Sequence, residues 1–184
     1  MGGDPLQYVN PVYDDDADYF IREALRHKHP RWELMWLLGV RSGLRISDIV
    51  RMTVSDAKTQ IWTVREVKTG KYRAIEYPAD VRAALEAHIV RYSLKTTDYI
   101  IFSCSTRHDH PVSRQHADRV IREAALSVGI ECIGTHSMRK SFAARWVRSG
   151  GDLMALQHVL NHKYLSTTLT YLAVHKGNKT TLAI

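Results

Sequence analysis

One stretch of this chain keeps a different period from all the rest. From Gln60 to Tyr77 side chains alternate, with Ile61, Thr63, Arg65 and Val67 on one side and Trp62, Val64 and Glu66 on the other. Lys68-Thr69-Gly70-Lys71 interrupts the run as a turn, and Tyr72 to Tyr77 resumes it. A period of two with a glycine-containing break predicts a β-hairpin. Elsewhere the apolar spacing is helical. One helix is expected from about Asp16 to Lys28, with Asp14-Asp15-Asp16 as its cap. A second should start at Pro30, run through Trp32, Leu34, Met35, Leu37 and Leu38, and break at Gly43. A short third helix is expected near Arg45 or Ser47. After Pro78 a helix should carry Val81, Leu85 and Ile89, and Ser113 should cap another that Gly129 closes. Helices near 136–149, 152–160 and 166–174 complete the pattern, while Tyr99-Ile100-Ile101-Phe102 reads as a strand or a buried connector. The predicted class is α+β, mainly α-helical, with a small antiparallel hairpin or three-stranded sheet at one edge.

Length and composition bound what such a fold can do. At 184 residues the chain suits one well-buried domain. It is 45% hydrophobic and 24% charged, and no apolar stretch approaches the ~20 residues of a membrane-spanning helix. The acidic amino terminus does not read as a secretory signal. Cys104 and Cys132 lack a C-x-x-C spacing, so no disulfide framework is expected and a cytoplasmic setting is the simplest one. A net charge of +7 suits a polyanionic partner, because lysine and arginine release counterions when they neutralise phosphates. The ten histidines offer no helical H-x-x-x-H or carboxylate-rich pattern, and no metal site is expected.

Several residues fit one chemistry. Breaking a phosphodiester takes positive donors on the non-bridging oxygens, a nucleophile, and a proton donor for the leaving oxygen. Arg45 and Arg139 offer planar forks suited to phosphate. His136 precedes Arg139 by three residues and shares its helical face. Lys68 sits at the edge of the hairpin turn, with Lys71 and Arg73 nearby. Asp48 follows Arg45 by three residues and is expected to orient an arginine or a histidine. Tyr171 is a candidate nucleophile nine residues after His162. Its phenol, with an ordinary pKa of ~10, needs neighbouring cations or a base to react at neutral pH.

Four local patterns carry a resemblance to the tyrosine recombinases, the phage-integrase family. Gly43-Leu44-Arg45-Ile46-Ser47-Asp48-Ile49 resembles the box around that family's first arginine. Lys68-Thr69-Gly70-Lys71-Tyr72-Arg73 resembles its lysine-bearing hairpin. Thr135-His136-Ser137-Met138-Arg139-Lys140-Ser141-Phe142-Ala143 resembles its histidine–arginine box, without the usual residue between threonine and histidine. Leu160 to Tyr171 matches its terminal box in spacing and order, with Asn161 where glycine is usual. Asparagine tolerates unusual backbone angles better than most residues.

The resemblance implies a site-specific recombinase that cuts and rejoins DNA through a 3′-phosphotyrosyl intermediate, with no cofactor. It implies that Arg45 and Arg139 clamp the scissile phosphate and that His162 hydrogen-bonds it. His136 takes part in proton transfer supported by Asp48, Lys68 is the general acid, and Tyr171 is the nucleophile. Lys71, Arg73, Arg114 and Lys140 are expected to touch DNA. The partner implied is double-stranded DNA, with a tetramer on paired sites and a monomer or weak oligomer otherwise, in a bacterial, archaeal or phage context. Residues 1–15 are expected to be irregular, 16–174 to form the catalytic domain, and 175–184 to be a tail that packs on a neighbouring subunit. The family's usual amino-terminal DNA-gripping domain is not expected here. Two alternatives share the motifs: a type IB topoisomerase-like activity and a non-catalytic DNA-binding regulator.

Overall fold

The computed structural model describes residues 9–103 and 107–173, with the side chains at positions 170, 171 and 173 outside that description. The expected tail and Cys104 therefore lie outside the described residues.

The chain begins with α1 (Asp15–Lys28), capped by Asp14, whose carboxylate accepts from Asp16 N at 3.2 Å. Pro30 opens α2 (Pro30–Ser42), and Gly43 closes it at φ 63°, with its N–H bonded to Gly39 O. Two single-turn helices follow, α3 (Ile46–Ile49) and α4 (Val54–Ala57). The hairpin is β1 (Ile61–Arg65) antiparallel to β2 (Tyr72–Glu76), in a register that sets Arg65 opposite Tyr72 and Trp62 opposite Ile75. Then come α5 (Ala79–Arg91), α6 (Arg114–Ser127), α7 (Thr135–Arg148), α8 (Leu153–Val159) and α9 (Leu165–Ala173). Ser113 caps α6 as expected, accepting from His116 N at 3.1 Å.

The sheet among the described residues has two strands rather than three. Ile100, Ile101 and Phe102 are fully buried, but the segment makes only isolated bridges, Thr53 to Tyr99 and Phe102 to Pro111. A continuous apolar run reads the same for a strand and for a buried connector, and here it is the connector.

Helix α2 is the axis of the core. Trp32, Leu34, Met35, Trp36, Leu37, Leu38 and Val40 are all buried, so the helix is covered on every side. It packs against α1, α5, α6 and α7. The approach to α7 is close because Gly39 faces Met138: a Cβ at Gly39 would lie 2.7 Å from Met138 Cβ. Gly43 is constrained twice, by its positive φ and by Phe142, whose ring lies 2.4 Å from where its Cβ would stand. These two glycines set the distance between α7 and the segment carrying Arg45.

Residues 9–14 form no regular element, but they are tied down along α7. Lys140 Nζ donates to Val9 O at 2.7 Å, Val12 N to Ser141 Oγ at 2.8 Å, and Arg148 Nη1 to Tyr13 O at 2.8 Å. Val9 and Val12 are buried there. Cys132 is free and exposed, at φ 57°. No helix among the described residues is long and apolar enough to cross a membrane.

Two predictions follow from this packing. In Gly39→Ala, overpacking of about 1–3 kcal/mol should outweigh the ~1 kcal/mol gained in helix propensity. The melting temperature should fall by a few degrees, and a rise would contradict the close α2–α7 contact. The second concerns His88, which is buried and donates Nε2–H to Ile100 O at 3.0 Å. Burial holds its pKa down at about 4, below the ordinary 6.5. The unfolded chain therefore takes up a proton first as pH falls, and stability should drop between pH 6.5 and 4. Melting curves across that range should show the loss, with a shallower slope in His88→Gln; equal slopes would contradict it.

Candidate active site

The cleft of interest lies between α3, the hairpin turn and the start of α7. Its volume is about 390 Å³, and Arg45, Lys68, Arg114, His136 and Arg139 line it together with Leu44, Ile46, Ser47, Val67 and Thr135. Residues far apart in sequence converge here because the ends of several helices meet at one point.

Arg139 marks that point. It is only 2% exposed, and its guanidinium donates from Nη1 to Gly43 O at 2.6 Å and from Nη2 to Leu160 O. Gly43 is the C-cap of α2 and Leu160 the C-cap of α8. Carbonyls at helix C-termini lack intrahelical partners and carry partial negative charge, so a buried cation is well placed between them. Leu160 directly precedes Asn161, which takes φ 50° in the left-handed region and turns the chain into His162. The asparagine thus adopts the positive angle for which glycine is usual.

Arg45 is the N-cap residue of α3, in extended conformation, so its side chain leaves before the helix begins. Its Nη1 lies 2.6 Å from Glu66 Oε2, in an ion pair whose carboxylate is fully buried. Thr69 Oγ1 donates to the same oxygen at 2.9 Å. Burial pushes the Glu66 carboxyl up, but the Arg45 charge and the Thr69 and Arg45 bonds outweigh it and hold it below the usual range.

Asp48 differs from expectation. It does not bond Arg45 or His136; its Oδ1 accepts from Val67 N at 2.9 Å, while its Oδ2 is buried with no hydrogen-bond partner. Because Arg45 stands outside α3, the i to i+3 spacing does not place the two on one helical face. Asp48 instead anchors the loop that carries Lys68. Burial, with the Glu66 charge adding to it, raises the Asp48 carboxyl above its ordinary value.

His136 stands in the first turn of α7. Asp118 on α6 holds that turn, accepting from Thr135 N at 2.8 Å and from Thr135 Oγ1 at 2.9 Å. His136 keeps an exposed edge, but desolvation by the cleft walls and the Arg139 charge lower its pKa. His162 is half-buried, and burial followed by Arg139 and Arg45 brings its pKa down to about 4. Its Nδ1 lies 2.9 Å from Thr168 Oγ1, a hydroxyl that is fully buried. Both rings are thus neutral near pH 7. If the Thr168 hydroxyl donates to Nδ1, the His162 proton sits on Nε2. Position 171 lies one turn beyond Thr168 on α9; the Tyr171 side chain lies outside the described residues.

The expected DNA-contacting residues divide. Lys71 is exposed at the hairpin turn and Arg114 is exposed at the cleft mouth. Arg73 and Lys140 are turned inward instead. Arg73 donates to Ser42 O, and burial together with the Arg139 charge lowers its pKa to about 10. Lys140 holds Val9 O. Glu66, Asp118 and Thr168 were not singled out from sequence. Glu66 continues the buried phase of β1 after Trp62 and Val64, and an acid in that phase signals a buried partner. Beyond the cleft a second groove runs along α6 past Arg114, Gln115, Arg119 and Arg122, sharing Ile46, Thr135 and His136 with it.

Comparison with known proteins places this geometry. Residues 13–178 match the model of the Phage integrase family. A Bacillus subtilis protein named "Probable integrase/recombinase YoeC" is 34% identical over 173 residues, covering 92% of each chain. Tyrosine recombinase XerA of Pyrococcus furiosus is 29% identical, covering 78% of this chain and 50% of its own. The chain thus spans nearly all of the first relative and about half of the Xer proteins. Among solved structures, a XerA recombinase superposes with a TM-score of 0.74 at 22% identity, over 92% of this chain and 61% of that one. A lambda integrase dimer bound to a COC' core site gives 0.75 at 22%, over 96% and 51%. With a family model spanning most of its length and a relative 34% identical over 92% of both chains, this chain belongs to the phage integrase family of tyrosine recombinases.

Proposed function

We propose that this domain cleaves one strand of a DNA duplex, holds the end as a 3′-phosphotyrosyl ester, and rejoins it to a new 5′ hydroxyl. The observation that supports this most is the convergence of Arg45, Lys68, His136 and Arg139 on one cleft, with His162 held next to it.

The chemistry divides among them. Arg45 and Arg139 donate to the non-bridging phosphate oxygens, where charge builds up as phosphorus becomes five-coordinate. His162 adds a donor from Nε2 in the tautomer whose Nδ1 accepts from the Thr168 hydroxyl. The Tyr171 phenolic oxygen attacks phosphorus, and its proton passes to the neutral His136, whose lowered pKa leaves it able to accept. The bond from phosphorus to O5′ breaks as Lys68 Nζ gives that oxygen a proton. Rejoining runs the same steps backward with the O5′ of another strand, so bond energy is kept in the covalent ester. The α6 groove, with Arg114 exposed at the end it shares with the cleft, offers the duplex a path away from the cleft. Assembly as a tetramer on paired sites, in the cytoplasm of a bacterium or archaeon or on a phage or mobile element, belongs to the same reading.

The test uses a nicked duplex library with a randomised core, incubated with the chain in EDTA. Wild type should form a covalent protein–DNA adduct that enriches one core sequence, and Tyr171→Phe should form none. An adduct that persists in Tyr171→Phe, or wild-type binding with no adduct, would overturn the proposal.

A further inference from the structure

Glu66 has no part in the reaction just described, yet it sits beneath it. Its side chain is fully buried, a costly place for a carboxylate unless its partners repay the lost hydration. One of its oxygens, Oε2, takes both Arg45 Nη1 at 2.6 Å and Thr69 Oγ1 at 2.9 Å. Its backbone closes the same loop: Glu66 N donates to Lys71 O, and Glu66 O accepts from Gly70 N, each at 2.9 Å. Lys68 lies inside that closed segment. Asp48 holds the segment from the other side through Val67 N.

We propose that Glu66 is a positioning residue for two groups at once, turning the Arg45 guanidinium toward the phosphate and fixing the loop from which Lys68 reaches the leaving oxygen. The inference rests on the recombinase reading above. Arginine has five N–H donors in a rigid fork, so fixing one of them aims the others. The carboxylate also separates like charges. Arg45, Arg73 and Arg139 all feel the Glu66 charge, and, after burial, Arg139 and Arg45 in turn depress the pKa of Arg73. Removing Glu66 would leave those cations to repel one another before any phosphate arrives. The Thr69 hydroxyl bonds the Glu66 oxygen that also holds Arg45, so a shift of the loop disturbs the arginine as well. Glu66 Oε1 is buried without a partner, which keeps the carboxylate's attraction on Arg45 and Thr69.

The test compares Glu66→Gln and Thr69→Val with wild type on the duplex that wild type selects from the library. A second duplex carries sulfur in place of the bridging O5′, and sulfur leaves without needing a proton. Glu66→Gln should lower the rate of adduct formation at least tenfold while DNA binding changes less than threefold. The sulfur duplex should restore part of that loss, because the Lys68 step is bypassed and Arg45 stays unheld. Thr69→Val, which keeps the carboxylate and its bond to Arg45, should lose less, and sulfur should restore a larger share of its loss than of the Glu66→Gln loss. A wild-type rate in Glu66→Gln would overturn this proposal alone. Equal losses on the two duplexes, the mark of a merely structural role, would also overturn it. No adduct from wild type would remove the recombinase reading and this inference together.

Discussion

The structure turns on one buried cation between two helix ends. Arg139 comes from the first half of α7 and joins Gly43 O, at the end of α2, to Leu160 O, at the end of α8. Burying a guanidinium costs several kcal/mol, and carbonyls that lack intrahelical partners, together with the nearby Asp48 and Glu66 carboxylates, offset that cost. The contact also fixes the positions of two neighbours. Arg45 lies two residues beyond Gly43, and His162 two residues beyond Leu160. The side chain proposed to meet the phosphate is therefore also the one that holds the rest of the proposed phosphate site in place.

Beneath it, two buried carboxylates do different work. Asp48 takes a backbone N–H from the Lys68 loop, and Glu66 takes the Arg45 fork and the Thr69 hydroxyl. Each keeps one oxygen buried and unpartnered, which a core built only for stability would rarely retain. Their effect is to let cationic side chains converge in the absence of substrate. Prearranged charge contributes most to a transition state because little reorganisation remains to be done when the reaction starts. The cost falls on stability, and the packing of α2 against α7 through Gly39 and Met138 offsets it.

Much of this was legible in the sequence because it is written in local patterns. Pro30, Gly43, Ser113 and the Asp14 cluster mark helix ends by backbone chemistry alone, and the Gln60–Tyr77 alternation with its Lys68–Lys71 break is a local signature of a hairpin. The last box pointed to His162 beside the cleft, and the positive angle at Asn161 matched the reason for noticing it. What stayed hidden depends on long-range pairing. Nothing near Asp118 points to Thr135, seventeen residues away. Asp48 looked like a helical partner of Arg45 because spacing says nothing about which residue is the cap. Arg73 and Lys140 looked like surface cations, since a long basic side chain reads the same whether it faces DNA or a buried carbonyl. Glu66 was the one long-range feature with a local trace, an acid in the buried phase of a strand.

The central claim is that Arg139 is structural and functional through the same guanidinium. Arg139→Lys tests it most directly, because lysine keeps the charge and loses the fork. One ammonium cannot span Gly43 O and Leu160 O as the fork does, and a buried carbonyl left unmatched costs about 1–3 kcal/mol. Thermal melting and adduct formation measured on the same preparation should both decline, with a melting point several degrees lower and a cleavage rate at least tenfold lower. An unchanged melting point with slowed cleavage would show that Arg139 serves the phosphate alone, and would contradict the account.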